Sequence, residues 1–471
     1  MQLVAGARDF PPEVAPPKPF VLAVPQVREL ASGLKVVVIE RRSLPLVTLR
    51  LVVKSGAEVD PPGLAGTAQF VAGLLSQGTA RRNAREIANA VDSAGGTLDT
   101  GADWDDSYIS LTVLSDHTRL AFDLVADMAS HPAFAQAEVE RQRKQTLSAL
   151  EVMYDDPSYL ADTVFDRLIF AGTPYGHPAD GTPETVKRIG GDTLRAFHAR
   201  YFRPANSILA VVGNVGSEEA YHLAEASFGD WRRVEGIHAE APVSSAPAPT
   251  ERFVVIDKPD AVQTEIRAGN HAARRTSDDY YALTLANQVL GGPAANRLFK
   301  ALRTQQGLTY GASSDLACQD TAGSWMAKTS TRTAETIRSL GLVLEELKRL
   351  HDDHVTGIEL RTAQSYLIGH LALQFETSED IATQTLELMV HNLPLDYWNR
   401  FPQEIQALSS EDISRATRRY LGPDESVLVL VGNAGTFQKE LKRFGSPVMI
   451  PLQDLDLASP DLRRATAARA P

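Results

Sequence analysis

The chain has 471 residues, 43% hydrophobic and 23% charged, so it is long enough for two or more domains that each bury a core. Its 47 Lys and Arg residues stand against 59 Asp and Glu residues, which gives a net charge of −12, and no compact basic run is present. This balance argues against nucleic-acid binding and is common among soluble enzymes. The alternative that the acidic surface attracts basic peptides stays open.

Cysteine content and hydropathy restrict the class of protein further. Cys318 is the single cysteine, which excludes an intrachain disulfide and a cysteine-based metal site. No apolar run approaches the ~20 residues of a membrane span, and the N-terminus lacks a signal-peptide pattern. Residues 11–19 (PPEVAPPKP) are Pro-rich, as segments after a removed export signal can be. We expect no membrane span, and a periplasmic location if such a signal has been removed, otherwise a cytoplasmic one.

The first half of the chain is predicted to contain strands followed by long helices. β-branched and alternating runs predict strands at residues 34–40, 46–56 and 107–114. Apolar periodicity predicts helices at residues 64–77, 84–96, 118–130 and 136–154.

The second half repeats this scheme. Strands are predicted at residues 253–259, 264–272 and 324–330. Helices are predicted at residues 278–290, 295–306, 333–351, 358–375 and 379–391.

An internal repeat explains the similarity of the two halves. The segments DTLRAFHARYFRPANSILAVVGNV (192–215) and EDISRATRRYLGPDESVLVLVGNA (411–434) align without gaps. The aligned pairs Tyr201 and Tyr420, Pro204 and Pro423, and Gly213 and Gly432 are each 219 positions apart. A constant offset across a helix, a turn and a strand indicates a tandem duplication of a whole domain.

The segment EGIHAEAPVSSAPAPTE (235–251) is rich in Pro, Ala and Ser and is typical of a linker. Strands and helices in separate blocks predict an α+β fold, with an antiparallel-rich sheet packed with helices in each half. The predicted organisation is an N-terminal Pro-rich extension, a first domain, a linker, a second domain and a C-terminal tail, at residues 1–24, 25–235, 236–251, 252–455 and 456–471.

The stretch GLAGTAQFVAGLLSQGT (63–79) by itself predicts a core helix with a C-terminal glycine. It also resembles the zinc-site helix of the pitrilysin or insulinase-like (M16) peptidases, in which GLAHFLEHM is followed by Gly-Thr. The matching residues are Gly66, Ala68, Phe70, Leu74, Leu75, Gly78 and Thr79. The resemblance extends over residues 25–455 through the strand order, the segments DDP and TPYGHP, and the duplication. It implies two tandem homologous M16-type half-domains.

The family's inverted motif HxxEH uses two His residues as zinc ligands and the Glu as general base on metal-bound water. The corresponding positions here are Gln69, Ala72 and Gly73, so all three chemical groups are absent. The resemblance therefore implies a degenerate zinc motif, no metal in this chain and no cofactor of its own.

No other residues are expected to rebuild a metal site. The family's third ligand, a Glu on a later helix, corresponds to about Ser148 or Ala149, and Glu151 lies about a turn out of register. The HDDH cluster (351–354) is typical of a solvated helix end rather than a metal site. His177, in TPYGHPADG, matches a family turn, and we expect a structural role for it.

The segment LGGPAANRLFKALRTQQGLTYGASSDL (290–316) resembles the family's second functional segment, in which an Arg and a Tyr seven positions apart face the zinc site across a chamber. Here they are Arg303 and Tyr310. Gly307 is a natural helix stop, so the two side chains are predicted to converge across a tight corner. The resemblance implies that they bind a substrate carbonyl and stabilise its oxyanion. The alternative is a surface arginine and a half-buried strand tyrosine.

The segment GGTLDTGADWDDSYISLTV (95–113) matches the region where active relatives offer a sheet edge to an extended peptide. It carries four acidic residues, Asp99, Asp103, Asp105 and Asp106, which predict an acidic edge. Such charge serves equally well to prevent edge-to-edge aggregation, so both interpretations stay open.

Bacterial members of the family often divide the work between a chain with HxxEH and a chain with only the Arg/Tyr segment. The resemblance implies the second type: a subunit that is inactive alone and pairs with an HxxEH partner. The partner holds the zinc ion, and the two chains enclose unfolded peptides. The alternative is a non-catalytic structural or peptide-binding protein, like the core subunits of respiratory complexes. A pocket-only binder that works without a partner chain is a third possibility.

Overall fold

Two six-stranded sheets with the same strand order form the framework of the chain. The structure is a computed structural model that describes residues 21–231, 251–293 and 296–464. The strands of the first half are β1 (Gln26–Glu29), β2 (Lys35–Glu40), β3 (Leu46–Val53), β4 (Thr97–Ala102), β5 (Ser107–Leu114) and β6 (Ser207–Gly213). Its helices are α1 (Thr67–Leu75), α2 (Ala84–Ser93), α3 (Thr118–Ser130), α4 (Gln136–Met153), α5 (Pro157–Ile169), α6 (Pro183–Arg188), α7 (Gly191–Tyr201) and α8 (Ser217–Phe228).

The second half has the same kinds of elements. Its strands are β7 (Phe253–Asp257), β8 (Gln263–Ala272), β9 (Ala312–Cys318), β10 (Gly323–Arg332), β11 (Val427–Gly432) and β12 (Val448–Pro451). Its helices are α9 (Tyr280–Leu290), α10 (Thr336–Asp352), α11 (Gly357–Leu371), α12 (Ser378–Val390), α13 (Tyr397–Ala407) and α14 (Ser410–Tyr420). A π-helix, Phe299–Gln305, lies between α9 and β9.

Sheet topology confirms the duplication and the α+β class. The first sheet has the order β1-β2-β6-β3-β5-β4 and the second has the order β12-β7-β11-β8-β10-β9. In each sheet one central pair is parallel, β2 with β6 and β7 with β11, and the strands that follow are antiparallel. The halves differ at one outer strand, because β1 is antiparallel to β2 whereas β12 is parallel to β7.

The central strands β6 and β11 are buried along their whole length. Their sequences, SILAVVG and VLVLVG, are continuously apolar because helices cover both faces of each sheet. On β6, Leu209 and Val211 join the core with α1 and α3, whereas Ile208 and Val212 face the core of the second half.

Each half supplies one helix to the sheet of the other half. Helix α5 packs on β8 and β11, and α12 packs on β3 and β6. An ion pair joins α5 to the second sheet, because the buried Arg267 guanidinium on β8, 2% exposed, binds the carboxylate of Asp162. The same guanidinium donates to the Ser158 hydroxyl. This exchange of helices ties the two halves together.

Several predicted elements agree closely with the described ones, and β5 and α3 have the predicted bounds. Helix α1 begins three residues later than predicted, after Gly66. The predicted extension (1–24) lies outside the described residues up to residue 20, and the predicted linker (236–251) lies outside them up to residue 250. In the predicted tail, Leu457 and Leu462 are buried against α5, and residues 465–471 are outside the described part. Over the described ranges, no helix is long and apolar enough to cross a membrane.

Candidate functional site

A buried carboxylate fixes the start of α1, the helix that carries the degenerate zinc motif. Gly66 has φ +93°, and its N–H donates to Asp60 Oδ2 at 2.6 Å, while the Ala68 N–H donates to Asp60 Oδ1 at 2.8 Å. His177 Nε2 lies 3.5 Å from the same carboxylate. Burial raises the pKa of Asp60, and the His177 contact opposes that rise. His177 thus has a structural contact at the helix N-terminus, where a negative group is favourable.

The three motif positions on α1 are filled by contacts within the chain. The Gln69 amide donates from Nε2 to the Ala102 carbonyl at 2.6 Å, which joins α1 to the end of β4. Ala72 is fully buried. A Cβ atom added to Gly73 would lie 2.9 Å from Nε2 of Gln142, so that side chain occupies the space beside the glycine. These residues do not fit a zinc ion, because none offers an imidazole or a carboxylate.

Gln142 is a contact that sequence reasoning missed. The predicted third-ligand positions, Ser148 and Ala149, are exposed on α4, and so is Glu151. Gln142 lies seven residues before Ala149, which is two helical turns on the same face of α4, so helical spacing was an available signal. In the part of the chain that the structure describes, no group of three or more His, Cys, Asp and Glu side chains is placed to hold a metal ion.

The structure brings Arg303 and Tyr310 together at one corner. Arg303 lies on the π-helix, and Gly307 ends that helix with φ +62°. The Gly307 N–H donates to the Arg303 carbonyl and the Leu308 N–H to the Leu302 carbonyl, both at 2.9 Å. The stop at Gly307 agrees with the sequence prediction, whereas the π winding was not predicted. π-helices are rare and occur often at functional sites.

Arg303 folds back over the corner. Its Nη1 donates to the Thr309 carbonyl at 3.3 Å and to the Tyr310 carbonyl at 3.1 Å. Its guanidinium carbon lies 5.4 Å from the centroid of the Tyr310 ring, within the range of a cation–π contact. Tyr310 is 87% exposed, so it is not the half-buried strand tyrosine of the alternative reading. A phenol and a guanidinium are thus held side by side, open to solvent.

A partly buried ion pair braces this segment, and no sequence pattern indicated it. Arg297, just before the π-helix, donates from Nε and Nη2 to both carboxylate oxygens of Glu359 on α11, at 2.7 and 3.0 Å. Glu359 also completes a capping box with Thr356. The contact holds the pKa of Glu359 near 2 despite its partial burial. The start of the corner is therefore anchored to the helical layer. Between described residues, no hydrogen bond or ion pair joins Gln69 to Arg303 or Tyr310.

The predicted acidic edge needs a correction. Strand β4 is the outer strand of the first sheet; Asp99 is exposed on it, and Asp103 is exposed just after its end. Asp105 instead turns inward, where it accepts hydrogen bonds from the Tyr175 hydroxyl at 2.6 Å and from the Asp320 N–H at 3.1 Å. Asp106 is also partly buried. The inner two carboxylates belong to the junction between the halves, because Asp320 is on the β9–β10 turn of the second half.

Burial changes the acidity of the carboxylates at this junction. It raises the pKa of Asp106 to about 7, and the charge of Asp103 adds to the shift. It raises the pKa of Glu58 to about 8, with Asp105 adding to it. Asp106 and Glu58 therefore change protonation state near neutral pH.

Two family descriptions match the sequence. Insulinase (Peptidase family M16) matches residues 35–181, and Peptidase M16 inactive domain matches residues 188–367. An uncharacterized zinc protease of Mycobacterium leprae is 29% identical over 74% of this chain and 78% of its own length. A Helicobacter pylori protein described as the non-peptidase homolog YmxG is 22% identical over 84% of this chain and 90% of its own.

Solved structures agree with the fold. A peptidase M16 inactive domain from Pseudomonas fluorescens superposes with a TM-score of 0.81 at 28% identity, covering 87% of this chain and 98% of that one. A chain of complex III2 from Candida albicans superposes with a TM-score of 0.75 at 16% identity over 89% of this chain and 100% of that one, which is a likeness of fold alone. These findings, with the three motif positions, support a non-catalytic M16-like chain. The protein belongs to the M16 peptidase family and is built from two tandem M16 domains.

Proposed function

We propose that the chain is the non-zinc subunit of a heterodimeric M16-type metallopeptidase. Its partner carries HxxEH and the zinc ion, and the two chains enclose unfolded peptides in a shared chamber. The observation that carries the proposal is a contrast between two segments. Gln69 and Gly73 are engaged by other parts of the chain, whereas Arg303 and Tyr310 form a braced corner with an exposed phenol.

In this proposal, Arg303 and Tyr310 act on the substrate carbonyl. Within the described residues, the hydrogen bonds of the Arg303 guanidinium use Nη1, which leaves Nε and Nη2 for a ligand. The Tyr310 hydroxyl and a free N–H of the Arg303 guanidinium both donate to the carbonyl oxygen of the substrate. Together they bind that oxygen and stabilise the negative charge that develops on it. The backbone contacts of Nη1 orient the guanidinium before substrate arrives.

The test uses the complex co-purified with its HxxEH partner. Tyr310→Phe removes one donor, so turnover of an unfolded peptide should fall by roughly 100-fold, with unchanged assembly in size-exclusion chromatography. Tyr366→Phe is the matched control, because Tyr366 stacks on His370 far along α11 and no role is proposed for it. Unchanged turnover in Tyr310→Phe would remove this residue from the mechanism.

The second candidate is a non-catalytic structural or peptide-binding M16-like protein. It is favoured by the H. pylori relative described as a non-peptidase and by the fold shared with a chain of complex III2. The two candidates differ in one measurement. A structural protein adds no peptidase activity to any HxxEH chain, whereas the proposed subunit does.

A further inference from the structure

A cavity of about 880 Å³ opens beside the Arg303 and Tyr310 corner. Its first wall is the π-helix, through Phe299, Lys300 and Thr304, and its opposite wall is residues 311–315, directly after Tyr310. Pro293 also lines the cavity. We call this cavity the corner pocket. Its volume lies within the ~300–1,000 Å³ that ligand sites span.

One wall of the corner pocket is a sheet edge. β9 is the outer strand of the second sheet, and the Ser314 N–H points outward to the Gly291 carbonyl, at 3.0 Å. Because strand residues alternate, the backbone groups of Ala312 and Leu316 point to the same side. Among the described residues they accept and donate no hydrogen bond there. The Gly291 carbonyl occupies the middle of this edge, so a peptide bound in the pocket can make main-chain hydrogen bonds with the outward groups of Ala312, at the start of β9.

The side chains of the pocket add two further preferences. Phe299, Pro293 and Ala312 present apolar surface, which favours a large apolar side chain. The carboxylate of Asp315 is already paired with Lys328 on β10. Lys300 has no ion pair with any described carboxylate, so the unneutralised charge of the pocket is positive. That charge favours an acidic residue beside the apolar one.

We propose that the corner pocket binds an extended peptide segment in which a bulky apolar residue has an acidic neighbour. The inference rests on the proposed function, because it assigns the substrate class of that same site. Binding here would place the neighbouring peptide bonds next to Tyr310, whose following residue, Gly311, lines the pocket.

Binding to the full chain without its partner tests this inference. The probes are fluorescein-labelled twelve-residue peptides with a Ser, Thr and Gly background and a central Asp-Phe-Asp, Asp-Ser-Asp or Lys-Phe-Lys. Anisotropy is measured at about 0.15 M salt, where distant charges are screened. Asp-Phe-Asp should bind, and replacing Phe by Ser should weaken binding about tenfold or more. Lys-Phe-Lys should also bind more weakly.

Three variants locate the binding. Thr304→Trp places a ring in the pocket and should weaken the binding of the Asp-Phe-Asp peptide about tenfold. Gln305→Trp, at an exposed neighbouring position outside the pocket, should leave binding unchanged. Lys300→Glu should make Lys-Phe-Lys the better ligand.

The inference is overturned if no peptide binds, if the Phe and Ser peptides bind equally, or if Thr304→Trp has no effect. These results are separate from those that test the proposed function. Selective binding with unchanged turnover in Tyr310→Phe would overturn the role of Tyr310 and keep the pocket. Unselective binding with a loss of turnover in Tyr310→Phe would overturn the pocket proposal and keep the role of Tyr310.

Discussion

At the scale of single residues, the clearest departure from an active M16 helix is at Gly73. The sequence alone identified the positions that lack zinc ligands, because the surrounding helical frame is intact. It did not identify what fills the space, since the neighbour of Gly73 is Gln142 on another helix, 69 positions away. Helical spacing places Gln142 on the same face of α4 as Ala149, but which residue of that face fills the space beside Gly73 depends on how α1 and α4 cross.

The Gln142 contact predicts the effect of adding a methyl group. Gly369→Ala, in the last turn of α11 with nothing near its Cβ, should stabilise the fold by up to roughly 0.5–1 kcal/mol. Gly73→Ala should stabilise the fold less than Gly369→Ala does, or destabilise it, because Gln142 must move. Urea unfolding of both variants, and of Gly73→Ala with Gln142→Ala, checks this. If Gln142→Ala does not restore the gain, the two residues are not coupled.

At the scale of elements, the Arg303 and Tyr310 corner was only partly predictable. A helical pattern, Gly307 and a following strand were readable from sequence, since each is a local signal. The π winding and the brace from Arg297 to Glu359 were not, because both depend on how the corner segment packs against α11. The residues of the corner pocket were missed for the same reason: its two walls are adjacent only after the turn at Gly307.

The left-handed conformation of Gly307 predicts a specific cost. Gly307→Ala should destabilise the chain by roughly 1–2 kcal/mol, because its φ is +62° and its Cβ would meet no other atom, so the cost is purely that of the backbone. Gly311→Ala is the matched control, with equally open space and no positive φ. Chemical denaturation compares them. An equal effect of both variants would contradict the role of the left-handed turn.

At the scale of the whole molecule, the duplication was predictable and the exchange of helices was not. The 219-residue offset revealed two equivalent halves, since each half repeats the same local patterns. The apolar faces of α5 and α12 do not determine which sheet each helix packs on, because that packing depends on contacts between residues far apart in the sequence. The exchange places Asp105, Asp106 and the Asp320 turn at a buried junction, where carboxylates lose water.

This junction predicts a pH dependence of stability. The pKa of Asp106 is about 7 in the folded chain, above the ~3.9 of an unfolded aspartate. Between these values the folded state thus binds more protons than the unfolded state. The stabilisation from protonated Asp106 is therefore complete below about pH 4 and is lost as pH rises through 7. The stability of Asp106→Asn relative to the parent chain should therefore rise from about pH 4 to pH 7 and level off above about pH 8. A difference that is constant with pH in urea unfolding would refute this assignment.

The most direct test of the account is peptidase activity on an unfolded peptide in three preparations: this chain alone, its HxxEH partner alone, and the two together. We predict no activity from this chain, little from the partner, and full activity from the mixture. Activity of this chain alone, or full activity of the partner without it, would contradict the claim that the zinc site and the Arg303 and Tyr310 corner belong to different chains.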